Sequence, residues 1–248
     1  MARPPPAAPP PASRVEPARL LASLRQVSDP ARAPLMQAYM KSPMPFLGVS
    51  APVRRALLRA LWKDVCWERA DAWRADVLAV WRGATYREER YAAVDLCGHR
   101  RAKAFQTPEA LPLYEVLIVT GAWWDTVDEL AAHRVGGLLV RYPAPISATM
   151  REWSRSDDLW KRRTAILCQL RRKDDLELPL LWDCLEPSLG SKEFFLRKAI
   201  GWALRQLAWR QPEVVQRYVR DHQEQLSPLS RREALKNLVK QGRLDAAP

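Results

Sequence analysis

One acidic residue of segment 123–141 occupies a position that a helix of this sequence would bury. On a helix of about 100° per residue, the segment forms an apolar stripe with Asp128 in its middle. The stripe consists of Trp124, Ala131, Ala132, Val135 and Leu139. A buried carboxylate is costly unless it is paired, hydrogen-bonded or turned towards a polar cavity. Asp128 is therefore a candidate for a carboxylate that does chemistry.

A basic residue occupies the corresponding place in segment 158–172. Arg163 lies at the centre of its apolar stripe, whereas Arg162, Arg171 and Arg172 fall away from that centre and are predicted to be solvated. The stripe consists of Leu159, Trp160, Ile166, Leu167 and Leu170. Two neighbouring helices thus each place one charge, of opposite sign, on a face that otherwise resembles core.

The spacing of three residues links these helices. Trp124 precedes Arg163 by 39 residues, and Arg163 precedes Trp202 by another 39. Stacked repeats put positions one period apart at similar places on neighbouring helices. Asp128 and Arg163 are therefore expected to face the same cleft. The alternative is a buried ion pair that only fixes the register of the two helices.

A third helix, predicted for 191–210, has two different faces. Its apolar face consists of Leu196, Ala199, Ile200, Ala203, Leu204 and Leu207. Its opposite face consists of Phe195, Lys198, Trp202, Arg205 and Trp209. Cations bind phosphates and flat rings contact sugars and bases, so this face is typical of a nucleic-acid surface. Packing of this face against the next repeat is the alternative.

The charge balance favours a polyanionic partner. Lysine and arginine number 40 against 28 acidic residues, which gives a formal net charge of +12 and a pI near 10.0. Such an excess attracts nucleic acid, although an arginine-rich genome would also produce it. Cys66, Cys97, Cys168 and Cys184 form no CxxC pair, so we predict reduced thiols in a cytoplasmic protein, with no metal site and no cofactor.

The pattern along the chain predicts an all-α protein. Helices are predicted at 17–28, 30–41, 50–64, 69–82, 86–103, 108–120, 123–141, 145–155, 158–172, 176–188, 191–210, 212–224 and 228–240. Their length and succession favour a solenoid of HEAT-like helix pairs, whose repeats run at about 40–47 residues. A proline-rich leader (1–17), one repeat domain (18–242) and a tail (243–248) complete the predicted organisation. No apolar run is long enough to span a membrane.

Five blocks of sequence carry a resemblance to a known family. They are YMKSPMPFLGVSAPVRR (39–55), AWWDTVDEL (122–130), DDLWKRRTAILCQL (157–170), SKEFFLRKAIGWALR (191–205) and LSPLSRREALKNL (226–238). In this order they resemble the DNA alkylation repair glycosylases of the AlkD type. The resemblance runs from about Leu35 to Leu238, and the proline-rich leader lies outside it.

The resemblance implies a right-handed HEAT-like solenoid whose concave, basic face holds duplex DNA. It also implies monofunctional excision of N3- and N7-alkylated purines by a monomer. By position in the matching blocks, the family's catalytic set falls on Asp128, Trp124, Trp202 and Arg163. The residues expected to contact DNA are Tyr39, Lys41, Arg162, Lys198 and Arg205.

The expected chemistry is hydrolysis of the glycosidic bond of a cationic base. A carboxylate beside the sugar would stabilise the developing oxocarbenium ion and orient the attacking water. Asp128 is the candidate for this role, Trp124 and Trp202 for the walls, and Arg163 for holding both the adjacent phosphate and the carboxylate. No lysine is placed as a Schiff-base nucleophile, so no lyase step is expected. Two alternatives stay open, an inactive DNA-binding relative and a HEAT-type protein-interaction scaffold.

Overall fold

The computed structural model describes residues 15–172 and 175–244, which fold into α-helices joined by short connections. Within these residues the helices are α1 (Pro17–Gln26), α2 (Ala33–Met40), α3 (Ala51–Leu61), α4 (Ala70–Gly83), α5 (Arg87–Cys97), α6 (Leu111–Gly121), α7 (Trp124–Glu129), α8 (Gly136–Arg141), α9 (Pro143–Trp153), α10 (Leu159–Leu167), α11 (Leu178–Leu185), α12 (Phe194–Ala208), α13 (Pro212–Asp221) and α14 (Pro228–Lys240). Three 3-10 helices cover Arg100–Phe105, Pro108–Ala110 and Glu186–Ser188. The described residues form no β-sheet. The all-α prediction is confirmed.

Each predicted helix has an observed counterpart, but three segments differ from the prediction. Segment 86–103 divides into α5 and the 3-10 helix Arg100–Phe105, and the α-helix of segment 158–172 ends at Leu167. The third difference lies inside segment 123–141. There α7 continues through a π-helical turn, Leu130–Val135, directly into α8. Elsewhere proline occupies one of the first two positions of eight helices. A proline there loses no hydrogen bond, which explains how a chain with 21 prolines stays helical. Among the described helices, none has the length and apolar character needed to cross a membrane.

The chain divides into two compact units, with the boundary between Phe105 and Gln106. The predicted single repeat domain, 18–242, spans both units. Most of the predicted leader (1–17) lies outside the described residues, which begin at 15, and α1 already starts at Pro17. Of the predicted tail (243–248), residues 245–248 lie outside the described part of the chain.

Unit 1 holds α1–α5 around a core that includes the fully buried Trp73 and Leu24. A buried carboxylate organises its central loop, because Glu88 accepts hydrogen bonds from the amides of Leu47 (2.8 Å) and Val49 (3.0 Å). Gly48 lies between these two amides at φ +81°, where a Cβ would stand 2.1 Å from the carbonyl oxygen of Asp29. Only glycine fits this close approach, which fixes the loop leading from α2 to α3.

Unit 2 holds α6–α14, and α10 is its central helix. It packs against α6, α7, the π-helical turn, α9, α11 and α12, while α12 packs in turn against α14. α10, α12 and α14, which alternate with other helices along the chain, therefore lie side by side. This arrangement fits an α-helical repeat fold. The apolar face predicted for α12 is confirmed, since all six of its residues are buried in one cluster.

Candidate active site

Asp128 lies on α7, two residues before the π-helical turn begins at Leu130. α7 begins at Trp124, after Trp123 in an extended conformation (φ −152°, ψ 144°). A π-helical turn adds one residue to the turn and is often found at functional sites. It also interrupts the predicted stripe, because Trp124 and Ala132 are only half-buried while Val127 and Leu130 are buried instead.

The helix carrying Asp128 runs unusually close to α10. A Cβ on Gly136 would stand 2.5 Å from the carbonyl oxygen of Cys168, the residue that ends α10. α10 itself is started by Asp158, whose carboxylate accepts hydrogen bonds from the amides of Trp160 (2.8 Å) and Lys161 (2.9 Å). Such an N-cap stabilises a helix start by about 1 kcal/mol. Together these features set the distance and register at which Arg163 meets α7.

Asp128 and Arg163 form a bidentate ion pair, a contact that fits both the shared-cleft prediction and the alternative of a pair that only fixes helix register. Arg163 donates from Nε to Oδ1 and from Nη2 to Oδ2 of Asp128, each at 2.7 Å. Its Nη1 donates to the carbonyl oxygen of Phe195 on α12. The Arg163 side chain is 3% exposed and that of Asp128 is 12% exposed. The guanidinium is therefore fully enclosed, and the carboxylate is the member of the pair that reaches solvent.

Burial raises the pKa of Asp128 above its ordinary value of 3.8. Arg163 opposes this shift through its hydrogen bonds and its charge, and the nearby carboxylate of Asp125 adds to it. The enclosed, low-dielectric surroundings that raise the pKa also strengthen the attraction between Asp128 and any positive charge placed beside it.

Three aromatic rings pack beside this pair and were not predicted as a group. The ring centroids of Trp160 and Phe195 are 5.0 Å apart, those of Trp123 and Phe195 5.4 Å, and those of Trp123 and Trp160 6.3 Å. The Arg163 guanidinium lies 5.9 Å from the Phe195 ring centroid. The 39-residue spacing in the sequence indicated Trp124, whereas the ring that packs against Trp160 and Phe195 is that of the adjacent Trp123. Such edge and tilted contacts favour a rigid wall.

The two tryptophans predicted for the site lie on the helices that flank α10. Trp124 precedes Asp128 by one helical turn and so shares its face of α7. Trp202 lies on α12 and packs, half-buried, against the core cluster of unit 2. Among the described residues, no hydrogen bond or cation–π contact joins either ring to the ion pair.

Two of the predicted DNA-contacting cations share one carboxylate that the sequence analysis did not identify. Lys198 Nζ donates to Oε1 of Glu233 at 2.6 Å, and Arg205 Nη1 donates to Oε2 at 2.8 Å. α14 brings Glu233 close because a Cβ on Gly201 would stand 2.5 Å from Glu233 Cβ. A search of 228–240 for a charged residue on a buried stripe, as applied to Asp128, would have found Glu233.

The remaining predicted contacts lie in both units. In unit 1, Tyr39 is 79% exposed at the end of α2, and Lys41 follows it, also exposed, with a left-handed backbone (φ 49°). In unit 2, Arg162 is half-buried and, within the described residues, its Nε is buried without a hydrogen-bond partner, so the side chain is less solvated than predicted. Arg172 is also half-buried and pairs with Glu177 at 2.9 Å.

The fold and the enclosed carboxylate–guanidinium pair define an all-helical protein with an acidic group held between α7 and α10. The sequence profile of the DNA alkylation repair enzymes matches residues 20–238, so the chain belongs to this family. A solved structure described as a predicted DNA alkylation repair enzyme from Enterococcus faecalis is 30% identical, with a TM-score of 0.78. The match covers 86% of this chain and 97% of that one. No curated protein matches the chain significantly.

Proposed function

We propose that this protein is a monofunctional DNA glycosylase that excises N3- and N7-alkylated purines from duplex DNA. The observation that carries the proposal is the Asp128–Arg163 pair, in which the carboxylate is buried yet more exposed than its partner. Membership of the DNA alkylation repair enzyme family supplies the substrate, damaged DNA. The proposal includes a monomer that acts in the cytoplasm without a cofactor.

The chemistry suits an enclosed carboxylate. A purine alkylated at N3 or N7 is cationic and leaves without strong acid catalysis, and positive charge then develops on the deoxyribose. Asp128 would stabilise this oxocarbenium ion and orient the attacking water. Each of its oxygens accepts one hydrogen bond from Arg163, which leaves a lone pair on each for the sugar or the water.

Arg163 acts in this proposal mainly by positioning Asp128. Its two parallel hydrogen bonds fix the plane of the carboxylate, and the bond to the Phe195 carbonyl fixes the guanidinium in turn. Contact between Arg163 and a phosphate was expected from the resemblance. With 3% of the side chain exposed, orientation of the carboxylate is the better supported of the two roles.

Aromatic and basic residues would hold the DNA. Trp124 and Trp202 are proposed as walls that contact the sugar and exclude water. Tyr39, Lys41, Arg162, Lys198 and Arg205 are proposed as contacts to the phosphate backbone, which make affinity strongly dependent on salt. The right-handed solenoid with a concave basic face belongs to this proposal, and the side-by-side packing of α10, α12 and α14 supports it.

The test is release of 3-methyladenine and 7-methylguanine from methylated duplex DNA by the wild type and by Asp128→Asn. We expect release by the wild type and a loss of about 10²–10³-fold in the variant, the effect of removing one preorganised electrostatic group. Glu129→Gln is the matched control, because Glu129 is the next residue, is half-exposed and contacts only His133 at 3.5 Å among the described residues. It should release bases at the wild-type rate.

Three results would contradict the proposal. No release by a wild type that binds DNA would assign the chain to an inactive DNA-binding relative. Binding to acidic proteins in place of DNA would favour an interaction scaffold. Strand scission without heat or alkali would contradict the monofunctional reaction.

A further inference from the structure

Unit 1 contains a basic cavity that has no part in the chemistry proposed for Asp128. It lies between the end of α3 and the 3-10 helix Arg100–Phe105 and has a volume of about 500 Å³. The cations that line it are Arg55, Arg59, Lys63 and Arg100. We propose that this cavity binds the phosphodiester backbone of DNA and forms a contact region of its own in unit 1. The proposal rests on the proposed function only for its choice of DNA as the polyanion.

Three of the four cations belong to α3 or the residues just after it, and the fourth, Arg100, belongs to the 3-10 helix. Arg55 and Arg59 are four residues apart on α3, which places them on one face and about 6 Å apart along the helix axis. Lys63 follows the end of α3 and lines the same cavity. Arg100 contacts Lys63, because Nη2 of Arg100 donates a hydrogen bond to the carbonyl oxygen of Lys63 at 3.4 Å. Cations grouped in this way can bind successive phosphates of one strand.

These four charges are not neutralised by the protein. Among the described residues none of the four forms an ion pair, whereas Arg25, Arg54 and Arg69 of the same unit each do. The one carboxylate that lines the cavity belongs to Asp95, and it accepts a hydrogen bond from Arg54 Nε at 2.9 Å. A bound anion relieves the repulsion between the four cations. When that anion is DNA, neutralising its phosphates also releases the counterions condensed on the DNA.

The wall behind the cations is fixed and apolar. His99 meets the edges of two tryptophan rings, with centroid distances of 6.1 Å to Trp62 and 5.4 Å to Trp67. Its Nδ1 accepts a hydrogen bond from the Arg101 amide at 3.3 Å. Burial, together with the charges of Arg100 and Arg101, lowers the pKa of His99. The imidazole therefore contributes less positive charge to the cavity than an ordinary histidine would, and the lysine and arginines supply most of that charge.

The ligand class follows from what the cavity offers. Trp62 and Leu58, the apolar side chains that line the cavity, are buried, so the tryptophan does not offer the exposed face that stacking on a base requires. Three of its four cations are arginines, whose planar forks fit phosphate oxygens bidentately. Recognition would be of the backbone, independent of sequence, as in contacts that position a duplex without reading it.

The test measures binding of the full chain to undamaged duplex DNA by fluorescence anisotropy over a range of KCl concentrations. The variants are Arg59→Gln and Arg59→Gln/Lys63→Gln, and Arg82→Gln is the control, because Arg82 is exposed at the end of α4 outside the cavity. Each lost phosphate contact should flatten the slope of log K against log salt by about 0.9. We expect that change in the single variant, about twice that in the double variant and none in the control. All substituted side chains are exposed, so circular dichroism should show unchanged folding.

An unchanged slope in the double variant would overturn the proposal, whether or not its affinity fell. Tighter binding of poly-glutamate than of DNA to the wild type, lost in the double variant, would assign the cavity to acidic protein segments and also overturn it. The test uses undamaged DNA and no excision step. Failure of the glycosylase proposal, seen as no base release, is therefore distinguishable from failure of this one.

Discussion

Two largely buried carboxylates of unit 2, Asp128 and Glu233, bind basic side chains of a neighbouring helix, and the two clusters differ in which charge faces solvent. In the first, Asp128 is 12% exposed and its single partner, Arg163, is 3% exposed. In the second, Glu233 is 9% exposed, and its partners Lys198 and Arg205 are 39% and 22% exposed. The acid is the accessible group of the first cluster, and the cations are the accessible groups of the second.

The pKa values of the two carboxylates are shifted in opposite directions, which agrees with this difference in exposure. Burial raises the pKa of Asp128, and one arginine does not reverse the shift. Burial also raises that of Glu233, but Lys198, Arg205 and Lys236 outweigh it, so the pKa of Glu233 lies below its ordinary value. The first cluster is neutral overall and presents a carboxylate, as stabilisation of a cation requires. The second carries a net positive charge and presents donors, as contact with phosphate requires.

The largest effect expected is on stability, from removing the guanidinium of the first cluster. Arg163→Met leaves the Asp128 carboxylate enclosed without its partner and should lower the free energy of unfolding by about 3 kcal/mol. The double variant Asp128→Asn/Arg163→Met removes both charges and should recover about 1–3 kcal/mol of that loss. Urea unfolding of the wild type, both single variants and the double variant measures this coupling.

Strictly additive losses would show that the two residues do not interact in solution. In that case the first cluster would not be a preorganised pair, and the contrast with Glu233 would disappear. Arg163→Lys separates charge from geometry, because lysine keeps the charge but lacks the planar fork. It should retain most of the stability yet lose excision activity, as a positioning role predicts.

The helices and the Asp128–Arg163 pair followed from the sequence because both depend on periodicity. A charged residue on an apolar stripe can be recognised from the sequence when residues are placed at about 100° intervals around a helix. The 39-residue interval from Trp124 to Arg163 then indicated that α10 is the neighbour of α7. The π-helical turn of Leu130–Val135 was not predictable in this way, because its extra residue depends on how closely Gly136 packs against α10. Glu233 was missed because the stripe search was not applied to 228–240, whereas its pairing with Lys198 and Arg205 depends on a crossing of α12 and α14 that no local pattern encodes.

A smaller effect is expected on DNA binding, from the second cluster. Lys198→Met should flatten the slope of log K against log salt by about 0.9 if Lys198 contacts one phosphate. Arg163→Met, measured at a temperature at which it is folded, should leave the slope unchanged because its guanidinium is enclosed. Lys240→Met, an exposed lysine at the end of α14, serves as the lysine control. Equal slopes of log K against log salt for Lys198→Met and the wild type would mean that Lys198 does not contact DNA and that the second cluster only holds α12 against α14.

The smallest effect is a shift in the pH profile of excision. The reaction requires ionised Asp128, so activity should fall as the pH is lowered through its pKa. Because burial raises that pKa, the acid limb should lie at a higher pH than for an ordinary aspartate. The charge of Asp125 raises the pKa of Asp128 further, so the acid limb of the Asp125→Asn variant should move to lower pH. Asp157 does not contribute to the pKa of Asp128, so Asp157→Asn is the control and should leave the acid limb in place. The test is base release measured from pH 4 to 8 and corrected for spontaneous depurination. An acid limb that does not move in Asp125→Asn would mean that the pKa of another group controls the fall in activity at low pH.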